Sequence, residues 1–173
     1  MTTIGPESPS DHDAIRDVVG AAFDGDFEVA LVDACRRSTA FDSELSLVAR
    51  TSDAVVGHAC FTPVRIGEST AGSTGVVLAP LSVRPSNQGA GIGSKLVREG
   101  LERAATKGYR FCILHGDPAF YQRFGFGRAD RYGIENPLET PPSEFLAVEL
   151  APEGLDTVAG HVHYPPPLEA MLL

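Results

Sequence analysis

Gln88-Gly89-Ala90-Gly91-Ile92-Gly93 lies between an apolar run, Val76 to Val83, and a strongly periodic stretch, Ser94 to Lys107. The three segments read as a strand, a tight turn and the start of a helix. Such a turn exposes several backbone N–H groups in a row, and the first helical turn has no internal partners for its own. The helix dipole places partial positive charge at the same end. Together these form a site for a phosphate or pyrophosphate. Glycine lets the backbone approach the anion and adopt positive φ without a Cβ clash. The plainer reading of the same residues is a turn that merely joins strand to helix.

Outward from this loop, the helix is the best-defined element. Ile92, Leu96, Val97, Leu101, Ala104 and Ala105 share one face at helical spacing, and Gly108 ends it. Tyr109 to His115 then reads as a buried strand, parallel to the preceding one if the crossover is right-handed. Upstream, Asp11 to Phe23 is expected as a helix capped by Ser10 or Asp11, with Ile15, Val18, Val19 and Ala22 inward. Glu28 to Arg37 is a second helix. Leu45 to Arg50 and Ala54 to Ile66 read as strands joined by a turn at Thr51-Ser52-Asp53, and Gly67 to Ser73 is a further turn. Downstream come a short helix at Ala119 to Phe124, the turn Gly125-Phe126-Gly127, and a late strand at Glu144 to Leu150. The tail with His163-Tyr164-Pro165-Pro166-Pro167 reads as a surface-running connection. The order predicts an α/β or α+β fold with a mixed sheet.

A chain of 173 residues fits one domain. The net charge of −9 argues against broad nucleic-acid binding, which needs a basic face. It is compatible with a cationic substrate. No apolar segment is long enough to span a bilayer and no secretory leader is visible, so a cytoplasmic location is expected. Cys35, Cys60 and Cys112 are far apart and lie in apolar stretches, as small buried hydrophobes do. Neither they nor the five histidines show metal-ligand spacing, so no metal is expected.

Three phosphate loops compete. A P-loop needs GxxxxGK[ST], and here Lys95 stands one place late with no glycine at the required offset. A dinucleotide loop needs an acidic residue on the next strand, which instead ends in Ile113-Leu114-His115. The third is the pyrophosphate loop of acyl-CoA-dependent N-acyltransferases. Leu78 to Gly93 (LAPLSVRPSNQGAGIG) resembles the central motif of the GNAT superfamily, its [QR]-x-x-G-x-[GA] element standing as Gln88, Gly91 and Gly93. Gly116 to Phe126 (GDPAFYQRFGF) resembles the motif that follows it, with a tyrosine on a short helix and an aromatic-glycine-aromatic turn.

The resemblance implies a GNAT-type mixed, mostly antiparallel sheet with a central splayed parallel strand pair and flanking helices. It implies an N-acetyltransferase domain over residues 1–150, with 151–173 as a C-terminal extension packing on it. Acetyl-CoA would be the co-substrate. The backbone of Leu81, Ser82 and Val83 would bind its pantetheine arm. Gln88, Gly89, Ala90, Gly91, Ile92 and Gly93, with Ser94, would hold the pyrophosphate. Tyr121 would be the general acid that protonates the leaving thiolate.

The chemistry has its own demands. The carbonyl oxygen becomes negative and needs a donor, for which a backbone N–H of Leu81–Val83 is suited. A thiol pKa near 8.5 against a tyrosine near 10 makes proton transfer shallow. An alkylamine acceptor must lose a proton, and the sequence does not single out the base: His115 and Asp117 stand nearest, with His58 and Glu44 behind them. As partners this reading expects a small-molecule or peptide amine acceptor, with no nucleic acid and no membrane, and leaves a homodimer open. A non-catalytic acyl-CoA-binding or sensor domain of the same fold is the alternative.

Overall fold

The computed structural model describes residues 1–52, 54–68 and 73–173. Asp53 of the first expected turn, and residues 69–72 of the second, lie outside the described residues. The chain divides into two compact units, Met1–Thr62 with Leu78–Arg103, and Pro63–Val77 with Ala104–Leu173. Strands pair in the order β1 (Thr3–Pro6), β2 (Ser46–Arg50), β3 (Val55–Ile66), β4 (Thr74–Val83), β5 (Phe111–His115), β7 (Phe145–Glu149) and β6 (Gly127–Arg128), with β8 (Val162–His163) beside β3.

In the first unit, β1 (Thr3–Pro6) pairs antiparallel with β2 (Ser46–Arg50), and β2 with β3 (Val55–Ile66). The register sets Ser46 opposite Cys60 and Val48 opposite His58. Pairing partners point to the same face, so Ser46, Val48, His58 and Cys60 share one. Helices α1 (His12–Phe23) and α2 (Phe27–Arg37) pack against Val48 and Val55 through Ile15, Val18, Val19 and Val32. The i, i+3, i+4 spacing of the α1 residues makes this stripe. Asp11 does not cap α1 with its side chain. Its carboxylate instead accepts from the Ser8 backbone N–H at 2.7 Å and from Arg50 at 2.5 Å.

Helix α3 (Ile92–Thr106) follows β4 (Thr74–Val83). Gly100 is buried on it, and a Cβ there would overlap the Phe61 ring. Gly100→Ala is therefore expected to destabilise by about 1–3 kcal/mol through overpacking. The helix-propensity gain of about 1 kcal/mol for replacing glycine by alanine lies only at the lower end of that range. Chemical denaturation of the variant reads the sign directly.

In the second unit β4 runs parallel to β5 (Phe111–His115), with Val76 opposite Cys112 and Val77 opposite Ile113. β5 pairs antiparallel with β7 (Phe145–Glu149), β7 with β6 (Gly127–Arg128), and β8 (Val162–His163) with the end of β3. Helix α4 (Pro118–Tyr121) lies between β5 and β6, and α5 (Pro166–Leu172) closes the chain. The tail is thus not a plain connection. Pro166 and Pro167 occupy the first helical positions, where a missing N–H costs nothing and φ is already set. β1, β6 and β8 have no separate expectation from the sequence, because two to four residues cannot show a period. Among the described residues no helix is long and apolar enough to cross a membrane.

Candidate active site

In the first unit, β4 ends in Leu81, Ser82 and Val83, with Ser82 buried and its Oγ without a hydrogen-bond partner. The Arg84 N–H donates to the Val56 carbonyl at 2.8 Å, holding this end beside β3. A 3-10 turn at Pro85–Asn87 follows. Gln88 then donates from Nε2 to the Val83 carbonyl at 3.0 Å, tying the loop back to the strand end. Gly89 and Gly91 adopt φ of +79° and +80°. No heavy atom stands within 4 Å of where a Cβ would lie on either. Positive φ accounts for glycine at both positions, and the open space gives a ligand room to come close to the backbone. The Lys95 N–H donates to the Gly91 carbonyl at 3.1 Å. The N–H groups of Ile92, Gly93 and Ser94 precede it at the helix start, where no intrahelical acceptor exists. The loop has the donors and the space that an anion needs.

In the second unit, Asp117 caps α4 by accepting from the Ala119 N–H at 2.9 Å. This sets Tyr121 at the helix end, among Phe120, Phe124 and Phe126 at ring-centroid distances of 4.8, 6.3 and 5.7 Å. A Cβ on Gly116 would come within 2.5 Å of the Tyr121 ring, so glycine there admits the ring. Among the described residues nothing accepts a hydrogen bond from the Tyr121 hydroxyl. Burial, with a smaller contribution from Cys112, pushes its pKa up to about 12. Tyr121 is therefore protonated at neutral pH, and its full proton transfer to a thiolate of pKa near 8.5 is steeper than the sequence suggested. A strong hydrogen bond to developing negative charge fits it better than complete transfer before bond cleavage.

The expected base candidates separate cleanly. The Asp117 carboxylate is occupied by its cap. His115 stacks on Phe145 at 4.6 Å, and its Nε2 meets Asn136 Oδ1 at 2.9 Å. Burial lowers its pKa against the opposing effects of Asn136 and Glu144. Glu44 is exposed on a 3-10 turn. His58 is fully buried beside Glu7 and Ser46. Of the cations, Arg123 lies 4.6 Å over the Phe120 ring and Arg128 pairs with Asp130. Cys35, Cys60 and Cys112 are buried thiols outside any disulfide.

The model of the acetyltransferase (GNAT) family matches residues 13–126, which spans both the glycine loop and the Tyr121 turn. The chain belongs to the GNAT acetyltransferase family. The acetyltransferase is 34% identical over 160 residues to an Escherichia coli K12 protein described as the uncharacterized N-acetyltransferase YhbS, covering 91% of this chain and 93% of that one. The crystal structure of E. coli YhbS in complex with CoA matches with a TM-score of 0.86 at 32% identity, over 97% of this chain and 92% of that one. A GNAT family acetyltransferase from Brucella melitensis in complex with acetyl-CoA matches with a TM-score of 0.76 at 35% identity, over 96% and 97% of the two chains. The acetyltransferase is thus an acyltransferase by family and by fold.

One group of the acetyltransferase escaped the sequence. Glu7 is 7% exposed, and its carboxylate accepts from Arg36 Nε at 2.8 Å, Arg36 Nη2 at 3.1 Å and Ser46 Oγ at 2.6 Å. His58 Nε2 stands 3.3 Å from the same carboxylate and 2.9 Å from Ser46 Oγ. Burial pushes the Glu7 pKa up. The hydrogen bonds from His58, Arg36 and Ser46, with the Arg36 charge, outweigh it and hold the pKa well below the usual carboxylate range. Burial lowers the His58 pKa more than Glu7 raises it, so Arg36 supplies the countercharge and His58 is neutral. Glu7 directly follows β1, while Arg36, Ser46 and His58 lie on α2, β2 and β3, and no local pattern joins them.

Proposed function

We propose that this enzyme transfers an acetyl group from acetyl-CoA to a primary amine by direct attack of the amine on the thioester. The open glycine loop carries the reading. Its free N–H groups and unfilled space at Gly89 and Gly91 suit a pyrophosphate. Relatives of similar sequence and fold were crystallised with CoA and acetyl-CoA.

In this proposal Gln88, Gly89, Ala90, Gly91, Ile92, Gly93 and Ser94 hold the pyrophosphate. The backbone of Leu81, Ser82 and Val83 binds the pantetheine arm, and an N–H of that stretch stabilises the carbonyl oxygen as it becomes negative. Tyr121 donates a hydrogen bond, then a proton, to the leaving sulfur. Residues 1–150 form the acetyltransferase domain, and 151–173 a C-terminal extension of it. Three buried cysteines held as thiols support a reducing, cytoplasmic setting.

Calorimetry with CoA, NAD and ATP tests the donor. CoA should bind and NAD should not; the reverse result would sink the proposal. Gly91→Val places a β-branched side chain at positive φ and in the open space of the loop. It is expected to weaken CoA binding at least tenfold, about 1.4 kcal/mol, while leaving the thermal midpoint within a few degrees. An amine-library screen with thiol-release detection then identifies the acceptor.

A further inference from the structure

Three side-chain atoms among the described residues are buried without a hydrogen-bond partner, and His58 Nδ1 is one of them. His58 is 0% exposed, and no protein group pairs with this nitrogen. A buried polar atom without a protein partner carries a desolvation cost and calls for an explanation. Its partner nitrogen is firmly held. Ser46 Oγ gives its own proton to Glu7 at 2.6 Å, so at 2.9 Å it accepts from His58 Nε2. That fixes the proton on Nε2 and leaves Nδ1 as a bare lone pair. A neutral imidazole, its far side hydrogen-bonded toward a buried carboxylate, is the arrangement that makes a histidine a base.

The strand address agrees. His58 is on β3, two residues from Val56, whose carbonyl accepts from Arg84 N–H at 2.8 Å. Arg84 directly follows Leu81–Val83, the stretch assigned to the acyl end of the donor. Among the described residues, the ionisable groups facing the imidazole each have a partner. Glu7 is saturated with donors; Arg36 is bound to Glu7 and lies 3.6 Å from Asp33; His12 from α1 meets Glu7 at 3.3 Å. The Cys60 thiol, on the same face of β3, has its pKa raised well above the usual value, first by Cys35 and then by burial, and is uncharged.

Resting on the acetyl-transfer reading, we propose that His58 Nδ1 takes the proton from the acceptor amine, with Ser46 and Glu7 as positioning residues. Nδ1 takes one proton from the acceptor ammonium before attack. As the neutral amine then forms the C–N bond and the C–S bond breaks, Tyr121 gives its proton to the leaving sulfur and the second nitrogen proton passes to the tyrosinate. The resulting imidazolium is stabilised by the Glu7 carboxylate through Ser46, and it returns its proton to solvent after release of product.

Two small acceptors separate this role from a structural one. n-Butylamine is protonated at pH 7 and needs a base; hydroxylamine is a weaker base and is already neutral. His58→Asn is expected to slow acetyl transfer from acetyl-CoA to n-butylamine about 100-fold while changing the hydroxylamine rate less than about threefold. Ser46→Ala keeps the imidazole but frees its tautomer, and should lower the n-butylamine rate about tenfold, with Ser46→Thr restoring it. CoA affinity, read by calorimetry, is unchanged in all three, which separates failure of this role from failure of the donor assignment. Equal losses with both acceptors, or no loss with n-butylamine in either His58→Asn or Ser46→Ala, would overturn the assignment.

Discussion

Tyr121→Phe is expected to lower kcat for acetyl transfer by about 10²- to 10⁴-fold, the range supplied by a positioned general acid. The ring is retained, so its contacts with Phe120, Phe124 and Phe126 are kept. Only the hydroxyl is lost. Tyr121 is half-buried, and its hydroxyl has no acceptor among the described residues. The phenylalanine variant should therefore be about as stable as the parent, since no hydrogen bond within the protein is lost. Loss of activity with stability kept is the signature of a functional hydroxyl. KM for the donor should change little, because the hydrogen bond to sulfur is made chiefly as the C–S bond breaks. A rate unchanged under conditions where chemistry limits turnover would remove Tyr121 from the mechanism. Because burial holds the hydroxyl near pKa 12, the basic limb of the rate profile should not show its ionisation below about pH 10.

Arg36→Met is expected to destabilise the fold by about 3–5 kcal/mol, because it leaves Glu7 buried with its chief countercharge removed. For a chain of this size that is a fall in the thermal midpoint of roughly 10 °C or more. The methionine keeps most of the packing volume, so the loss is electrostatic in origin and its pH dependence has a definite sign. In the parent, the Glu7 pKa is depressed on folding. Its contribution is present above the unfolded carboxylate value, about 4.3, and is lost as pH falls through the folded value. In the variant, Glu7 no longer gains from ionisation to the same extent. The difference between the two proteins should be largest near neutral pH and shrink steadily below about pH 4.5. Thermal melts from pH 7 to pH 3 measure it, and a difference that stays constant with pH would show that packing, not charge, is responsible.

The two motifs were legible because each is local. A glycine loop is read from positions 88–93, and its physical requirement, positive φ at Gly89 and Gly91, is carried by residue type alone. The long periodic elements, α1, α2, α3, β3 and β4, were legible for a similar reason: their burial pattern repeats over ten or more residues. Asp117-Pro118 announced its helix start, and the cap appears as expected. What was missed is short or contributed from afar. β1, β6 and β8 span two to four residues, and their existence depends on partner strands rather than on their own pattern. α5 was hidden because a proline run reads as connection until the residues after it prove helical.

The sequence alone determined the family, and it nominated the donor-side loop and the tyrosine that the proposal uses, since these rest on backbone chemistry and on spacing along the chain. Only the tertiary structure decided the electrostatics. It brought Glu7, Arg36, Ser46 and His58 together from four separate stretches of chain, left one imidazole nitrogen bare, and raised the Tyr121 pKa by burying it. Burial and pairing depend on what packs around a group in space, and residues dozens of positions apart carry no mark of one another in the chain.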